Sequence, residues 1–151
     1  MNNLSFHITD ITANSIRANA SEIGLSVEEQ DARIVIRITD NGSGMDAETA
    51  RRVTNPFYTT RTTRKVGLGL PFLIQNAEQT GGSVTLTSEP GKGTDVRAVF
   101  HSDHIDCPPW GDLPGTVALL ITGNPKINVC FEYRSGETGY SISTNEIKEI
   151  L

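Results

Sequence analysis

Asp10, Asn14 and Arg17 recur at i, i+4 and i+7, so a helix would bring all three to one face. A carboxylate and a carboxamide one turn apart offer hard oxygen ligands to Mg²⁺ or to its waters, and a guanidinium reaches phosphate oxygens. The same spacing is also that of an ordinary solvated helix face. Three glycine-bearing stretches follow. Asp40-Asn41-Gly42-Ser43-Gly44-Met45 puts an acceptor-only carboxylate beside two glycines that would let a flat ring approach the backbone, or it is a tight turn. Gly67-Leu68-Gly69 stands where a helix would open, a place whose free N–H groups favour a phosphate. Gly91-Lys92-Gly93-Thr94 reads either as a fourth part of such a site or as a hairpin loop.

The elements that must hold these groups can be read from periodicity. Leu4, Ile8, Ile11 and Ala18 share one helical face over residues 4–20, with Ser15 among them. Residues 22–27 and 33–39 have strand character, and Ile34, Ile36 and Ile38 alternate with polar positions. A short helix is expected over 46–53, stopped by Asn55-Pro56, and a longer one over 67–80, ended by Gly81-Gly82. Strands at 83–88 and 94–101 complete an α-β-β-α-α-β-β order. That order predicts an α/β fold of the two-layer α+β kind, with helices on one face of a mainly antiparallel sheet.

Beyond residue 103 the character changes. Asp106 to Gly111 reads as a linker, and a helix capped by Asp112 is expected to end at Gly123-Asn124-Pro125. Residues 127–133 and 140–143 look like a hairpin about Ser135-Gly136, followed by the capping pattern Ser143-x-x-Glu146. A lone hairpin is marginal in water, so its apolar side is expected to pack on the same chain together with the preceding helix. Residues 1–103 and 104–151 are therefore taken as a main domain and a small α/β extension. His101, His104 and Cys107 have a spacing a metal could use, but the flanking Pro108-Pro109 favours a linker.

Composition narrows the function. The chain has 151 residues, a net charge of −5 and a pI near 5.1, which speaks against a general nucleic-acid binder. Its longest apolar run is Val117 to Ile121, too short to span a membrane, and its start lacks the pattern of a secretory signal. Two distant cysteines suit reduced thiols, and a cytoplasmic location is expected.

The four polar and glycine-rich stretches, in this order and spacing, resemble the GHKL ATPase superfamily with its Bergerat nucleotide-binding fold. Asp10-Ile-Thr-Ala-Asn14-Ser-Ile-Arg17 resembles the N box, and DNGSGM, VGLGLP and GKGTDV resemble the three glycine boxes. NPFYTTR is similar to the stretch ahead of the second glycine box in histidine kinases. The resemblance covers roughly residues 4–101. It implies ATP and Mg²⁺ as cofactors, with Asp10 and Asn14 as catalytic residues and Asn14 as the metal ligand. Arg17 would contact phosphates and Asp40 would read the adenine amine, with Thr94 sharing its water network. Gly42, Gly44 and Met45 would shape the purine pocket, Phe57 would lie before the lid, and Gly67, Leu68 and Gly69 would carry the triphosphate. A lid over about residues 59–66, with Arg61, Arg64 and Lys65, would offset phosphate charge.

Three departures sharpen the expectation. Hydrolysing relatives have Glu where this chain has Asp10, so the resemblance implies binding more directly than hydrolysis. Lys65 stands where the kinases have a further glycine. No helix with a phosphoacceptor histidine precedes the N box, so a standalone domain is expected. It would pass the γ-phosphoryl of ATP to a partner protein, or slowly to water. The alternative is a non-catalytic module, like an anti-sigma factor, in which nucleotide alters partner binding. A homodimer is compatible with either; nucleic acid and membranes are not expected partners.

Overall fold

The computed structural model describes residues 3–54 and 64–150; for 64–68 and 150 it describes the backbone alone. The elements are α1 (Leu4–Arg17), β1 (Glu22–Gln30), β2 (Arg33–Asp40), α2 (Ala47–Thr54), α3 (Arg64–Gln79), β3 (Ser83–Glu89) and β4 (Gly93–His101), then α4 (Leu113–Thr122), β5 (Asn128–Ser135), β6 (Thr138–Ser143) and α5 (Thr144–Ile150). The expected order holds throughout, with shifts at the ends. Asn3 caps α1, its Oδ1 accepting the Phe6 N–H at 2.7 Å.

The sheet has six strands in the order β3-β4-β2-β1-β5-β6. All neighbours are antiparallel except β1 and β5, which run parallel from Glu22↔Asn128 to Glu29↔Ser135. Period-two alternation sends Ile23, Leu25, Val27, Ile34, Ile36, Ile38, Val96, Ala98 and Phe100 into one core, where Leu4, Ile8 and Ile11 of α1 and Leu70, Leu73 and Ala77 of α3 meet them. The other face is polar: Arg37 donates to Asp95 there through Nε at 3.1 Å and Nη2 at 2.6 Å. Helices on one face of a mixed, mainly antiparallel sheet are the architecture the sequence predicts.

The start of α3 differs from expectation. The helix begins at Arg64, three residues before the expected opening, so Gly67 and Gly69 lie inside it instead of in its first turn. Glycine costs a helix only about 1 kcal/mol, and the buried repeat Leu70, Leu73, Ala77 carries the helix through it. Pro71 also lies inside α3, where it offers no N–H to the carbonyl of Gly67.

The C-terminal segment joins the same sheet. Asp112 caps α4, accepting the Gly115 N–H at 3.0 Å, and α4 buries Val117, Leu120 and Ile121 in the same core. Val129 and Phe131 of β5 are buried there too. The Glu29 carboxylate ties this region to β1, accepting from the Trp110 indole N–H and, at 3.0 Å, from the Tyr133 hydroxyl. The hairpin turn lies one residue later than expected, at 136–137, and Ser143 Oγ accepts the Glu146 N–H at 3.1 Å to start α5. Apolar cover thus comes from within the chain, although Tyr140 and Ile142 on β6 stay 59% and 36% exposed.

Candidate nucleotide site

At one end of the sheet, a cavity of about 260 Å³ lies between α1, α2, α3 and the ends of β2 and β4. Ile11, Ile38, Met45, Val53, Leu70 and Val96 give it apolar walls, and Asn14, Ser15, Arg17, Asp40, Ser43 and Thr94 provide the polar groups. A mainly apolar slot with a few convergent polar atoms suits a flat heterocycle.

Asp40 ends β2 and lies directly opposite Thr94 of β4 in the ladder. Both its carboxylate oxygens are held: Oδ2 accepts the Ser15 hydroxyl at 2.6 Å and Oδ1 accepts the Gly42 N–H at 2.9 Å. The loop after Asp40 is stitched to two other elements. Ser43 donates its N–H to the Ala18 carbonyl at 2.9 Å, and the Gly91 N–H donates to the Ser43 carbonyl at 2.7 Å. Gly44 needs to be glycine on two grounds, a φ of +71° and a backbone so close to the Glu89 carbonyl that no Cβ fits. Met45 packs against the core, and its N–H donates to Ser88 Oγ at 2.9 Å.

The α1 face is held more loosely. Asp10, Asn14 and Arg17 do share it, and Arg17 donates to Asn14 Oδ1 at 2.6 Å across an exposed contact. Burial raises the Asp10 carboxyl pKa from its ordinary value, against the opposing pull of the Arg17 charge. A Cβ built on Gly69 would lie 3.4 Å from Asp10 Cβ, so α3 passes directly beside this carboxylate. Asp10 and Asn14 are oxygen donors of the kind Mg²⁺ takes, an ion bound through one or two protein groups together with phosphates. Behind this face His7 is 1% exposed, with Nε2 at 2.7 Å from Asn76 of α3. Among the described residues its Nδ1 has no partner, and burial pushes its pKa down to about 4.

The structure therefore brings Asn14, Arg17, Asp40, Gly44, Met45 and Thr94 to one cavity, with Gly42 packed behind Ala18 and Asp40 of its lining; Asp10 and Gly69 lie beside each other outside that lining. Phe57 and Arg61 lie outside the described residues, as does the expected lid up to residue 63. Arg64, Lys65, Gly67 and Leu68 are described only as α3 backbone. Gly91 and Lys92 form the β3–β4 hairpin loop, where Lys92 pairs with Glu89 at 3.3 Å. His104 and Cys107 lie in the turns after β4, where Cys107 donates its N–H to the His104 carbonyl at 3.0 Å. Sequence reasoning missed two hydroxyls, Ser15 and Ser88. Ser15 had a signal, a polar residue on the buried face of α1. Ser88 had a fainter one, the inward alternation of Val84 and Leu86.

A helix-borne Asp/Asn/Arg face and a strand-end carboxylate thus lie over one face of a mixed sheet in a two-layer α/β fold. Comparison with known proteins gives the family. Residues 3–104 match the model of histidine kinase-, DNA gyrase B-, and HSP90-like ATPases, and the chain belongs to that family. It is 29% identical over 104 residues to sensor histidine kinase YxdK of Bacillus subtilis, covering 64% of this chain and 32% of that protein. Sporulation kinase C of the same organism is 30% identical over 101 residues, 66% of this chain and 23% of that one. A putative sensor protein of Shewanella frigidimarina is 40% identical over 67 residues, 44% of this chain and 10% of that one. The chain thus spans at most about a third of these relatives. Among solved structures, the N-terminal domain of a DNA repair protein superposes with a TM-score of 0.58 at 18% identity. That match covers 93% of this chain and 51% of the other, and it shows the shared fold. Residues 3–104 are a histidine-kinase-like ATP-binding domain. Among the described residues no helix is long and apolar enough to cross a membrane.

Proposed function

We propose that this domain binds Mg·ATP, purine against Asp40 and phosphates toward Asn14, and passes the γ-phosphoryl to a side chain on a partner protein or slowly to water. The observation that carries this reading is the cavity itself. Its apolar walls hold a carboxylate with both oxygens anchored on one side and a carboxamide–guanidinium pair on the other. Bound Mg²⁺ would supply charge neutralisation on the phosphate oxygens. Asn14 would give its Oδ1 to the ion, and Arg17, released from that oxygen, would turn to the phosphates. Asp10 stands beside Gly69 with a raised carboxyl pKa, which makes it a better proton acceptor than an exposed carboxylate. A nucleotide ligand and two free cysteines suit a cytoplasmic protein.

Titration calorimetry with ATP, with and without a chelator, tests binding; phosphate release and label transfer to cell extract test turnover. Metal-dependent ATP binding with transfer of label supports the proposal. Metal-dependent binding with neither release nor transfer assigns the domain to nucleotide-controlled partner binding, the reading favoured by the short reach of Asp10. Absence of ATP binding removes both.

A further inference from the structure

We propose that Ser15 and Ser88 are positioning residues that turn the purine-reading wall into an acceptor-only surface, so that it selects a 6-amino purine over a 6-oxo purine; this rests on the nucleotide reading above.

The argument is an account of protons. A serine hydroxyl has one proton and two lone pairs. Ser15, 2% exposed, places its proton on Asp40 Oδ2 at 2.6 Å, so it has none to offer a ligand. Asp40 has no proton to give, and its second oxygen is anchored by the Gly42 N–H. Two other hydroxyls line the cavity, those of Ser43 and Thr94, and it is Thr94 that lies directly across the ladder from Asp40, so its direction decides the wall beside that carboxylate. Thr94 Oγ1 lies 2.8 Å from Ser88 Oγ, and Ser88 has two further partners: it accepts the Met45 N–H at 2.9 Å and lies 3.1 Å from the Gly93 carbonyl. A carbonyl can only accept. One arrangement satisfies all of these groups. Ser88 donates to Gly93, fills one lone pair with Met45 N–H and the other with the Thr94 proton. Thr94 then faces the cavity with lone pairs alone.

A wall built from Asp40 and Thr94 in this state takes an exocyclic amine and meets a 6-oxo oxygen with lone pairs against lone pairs. Unpaired acceptors forced together in a mainly apolar pocket cost enough to discriminate by an order of magnitude or more. Neither serine needs to touch the nucleotide. Each acts by fixing the proton of a group that does.

The test is calorimetric titration of the full chain with Mg·ATP and Mg·ITP, with thermal melts to confirm folding. Wild type is expected to favour ATP. Ser88→Ala frees the Thr94 proton to donate to the 6-oxo group, so ITP binding tightens and the ATP/ITP ratio falls about tenfold; Ser88→Thr, which keeps the hydroxyl, restores it. Ser15→Ala lowers the same ratio by weakening ATP alone. If Ser88→Ala weakens both nucleotides alike, Ser88 is only a loop support and the proposal falls. If Ser88→Ala fails to fold, Thr94→Val decides: a lower ratio supports an acceptor at Thr94, and an unchanged or higher ratio overturns it. A wild type that binds both nucleotides equally keeps the nucleotide reading and overturns this inference. One that binds neither removes the reading itself.

Discussion

The two polar sides of the cavity are built to different standards of rigidity. On the Asp40 side, both carboxylate oxygens, the Ser43 N–H and carbonyl, the Met45 N–H and the Thr94 hydroxyl all have partners within the fold. On the α1 side, the partner of Asn14 Oδ1 among the described residues is the exposed Arg17, and the neighbouring Asp10 carboxyl is displaced from its ordinary pKa by burial. A base-reading surface gains selectivity from groups that cannot reorient, because every wrong ligand then leaves something unpaired. A surface that must meet an ion and a changing number of phosphates gains from groups that can exchange partners. One element, α1, serves both, with Ser15 bonded to Asp40 and Asn14, one residue earlier, bonded to Arg17 on the same cavity lining.

The largest effect expected to break this contrast comes from acid. His7 lies one turn before Asp10, buried against α3, and its pKa falls from 6.5 to about 4 on folding. A depressed folded pKa means that this contribution is intact above pH 6.5 and is lost as pH falls toward 4, where the unfolded chain takes the proton first. The loss reaches about 3 kcal/mol. Urea melts of wild type and His7→Leu across this range should diverge from pH 6.5 downward, with the flatter profile in the variant. Parallel profiles would show that His7 is not buried neutral.

Next in size is Asp40→Asn. It puts an amide donor among groups arranged to accept from a purine amine, and ATP affinity should fall at least about tenfold. Equal titration curves for the two proteins would remove Asp40 from base recognition. Asn14→Ala should act on the other side only, weakening Mg·ATP by about three- to tenfold while leaving metal-free ADP binding nearly unchanged. An equal loss for both ligands would make Asn14 a general surface residue. The smallest effect belongs to Arg17→Ala. An exposed side-chain pair such as Arg17–Asn14 contributes little, so the melting free energy should move by less than about 0.5 kcal/mol. A larger destabilisation would mean that the α1 face is as firmly built as the Asp40 side.

Local chemistry was readable before the fold. Caps at Asp112 and Ser143, the alternation of Ile34, Ile36 and Ile38, and the helical spacing of Asp10, Asn14 and Arg17 are each decided within a few residues. So was the ordering of the polar and glycine-rich stretches that made ATP the expected ligand. The glycine-rich stretch of α3 shows where local reading stops: two glycines mark an expected helix start, yet the helix begins three residues earlier and runs through them because packing at Leu70, Leu73 and Ala77 outweighs their propensity.

Pairings between distant residues belong to the tertiary structure. Residues 128–135 form a strand, but only the assembled sheet decides that they lie parallel to residues 22–29 and continue the same layer. Ser15 and Asp40 are 25 positions apart, Met45 and Ser88 43, and no period in the chain marks either pair. The physical reason is that hydrogen-bond direction and strand register are properties of two partners held at a fixed distance. A sequence specifies the donors and acceptors it carries. Which of them face each other is settled when burial of the shared core brings α1, β2 and the β3–β4 hairpin to one end of the sheet.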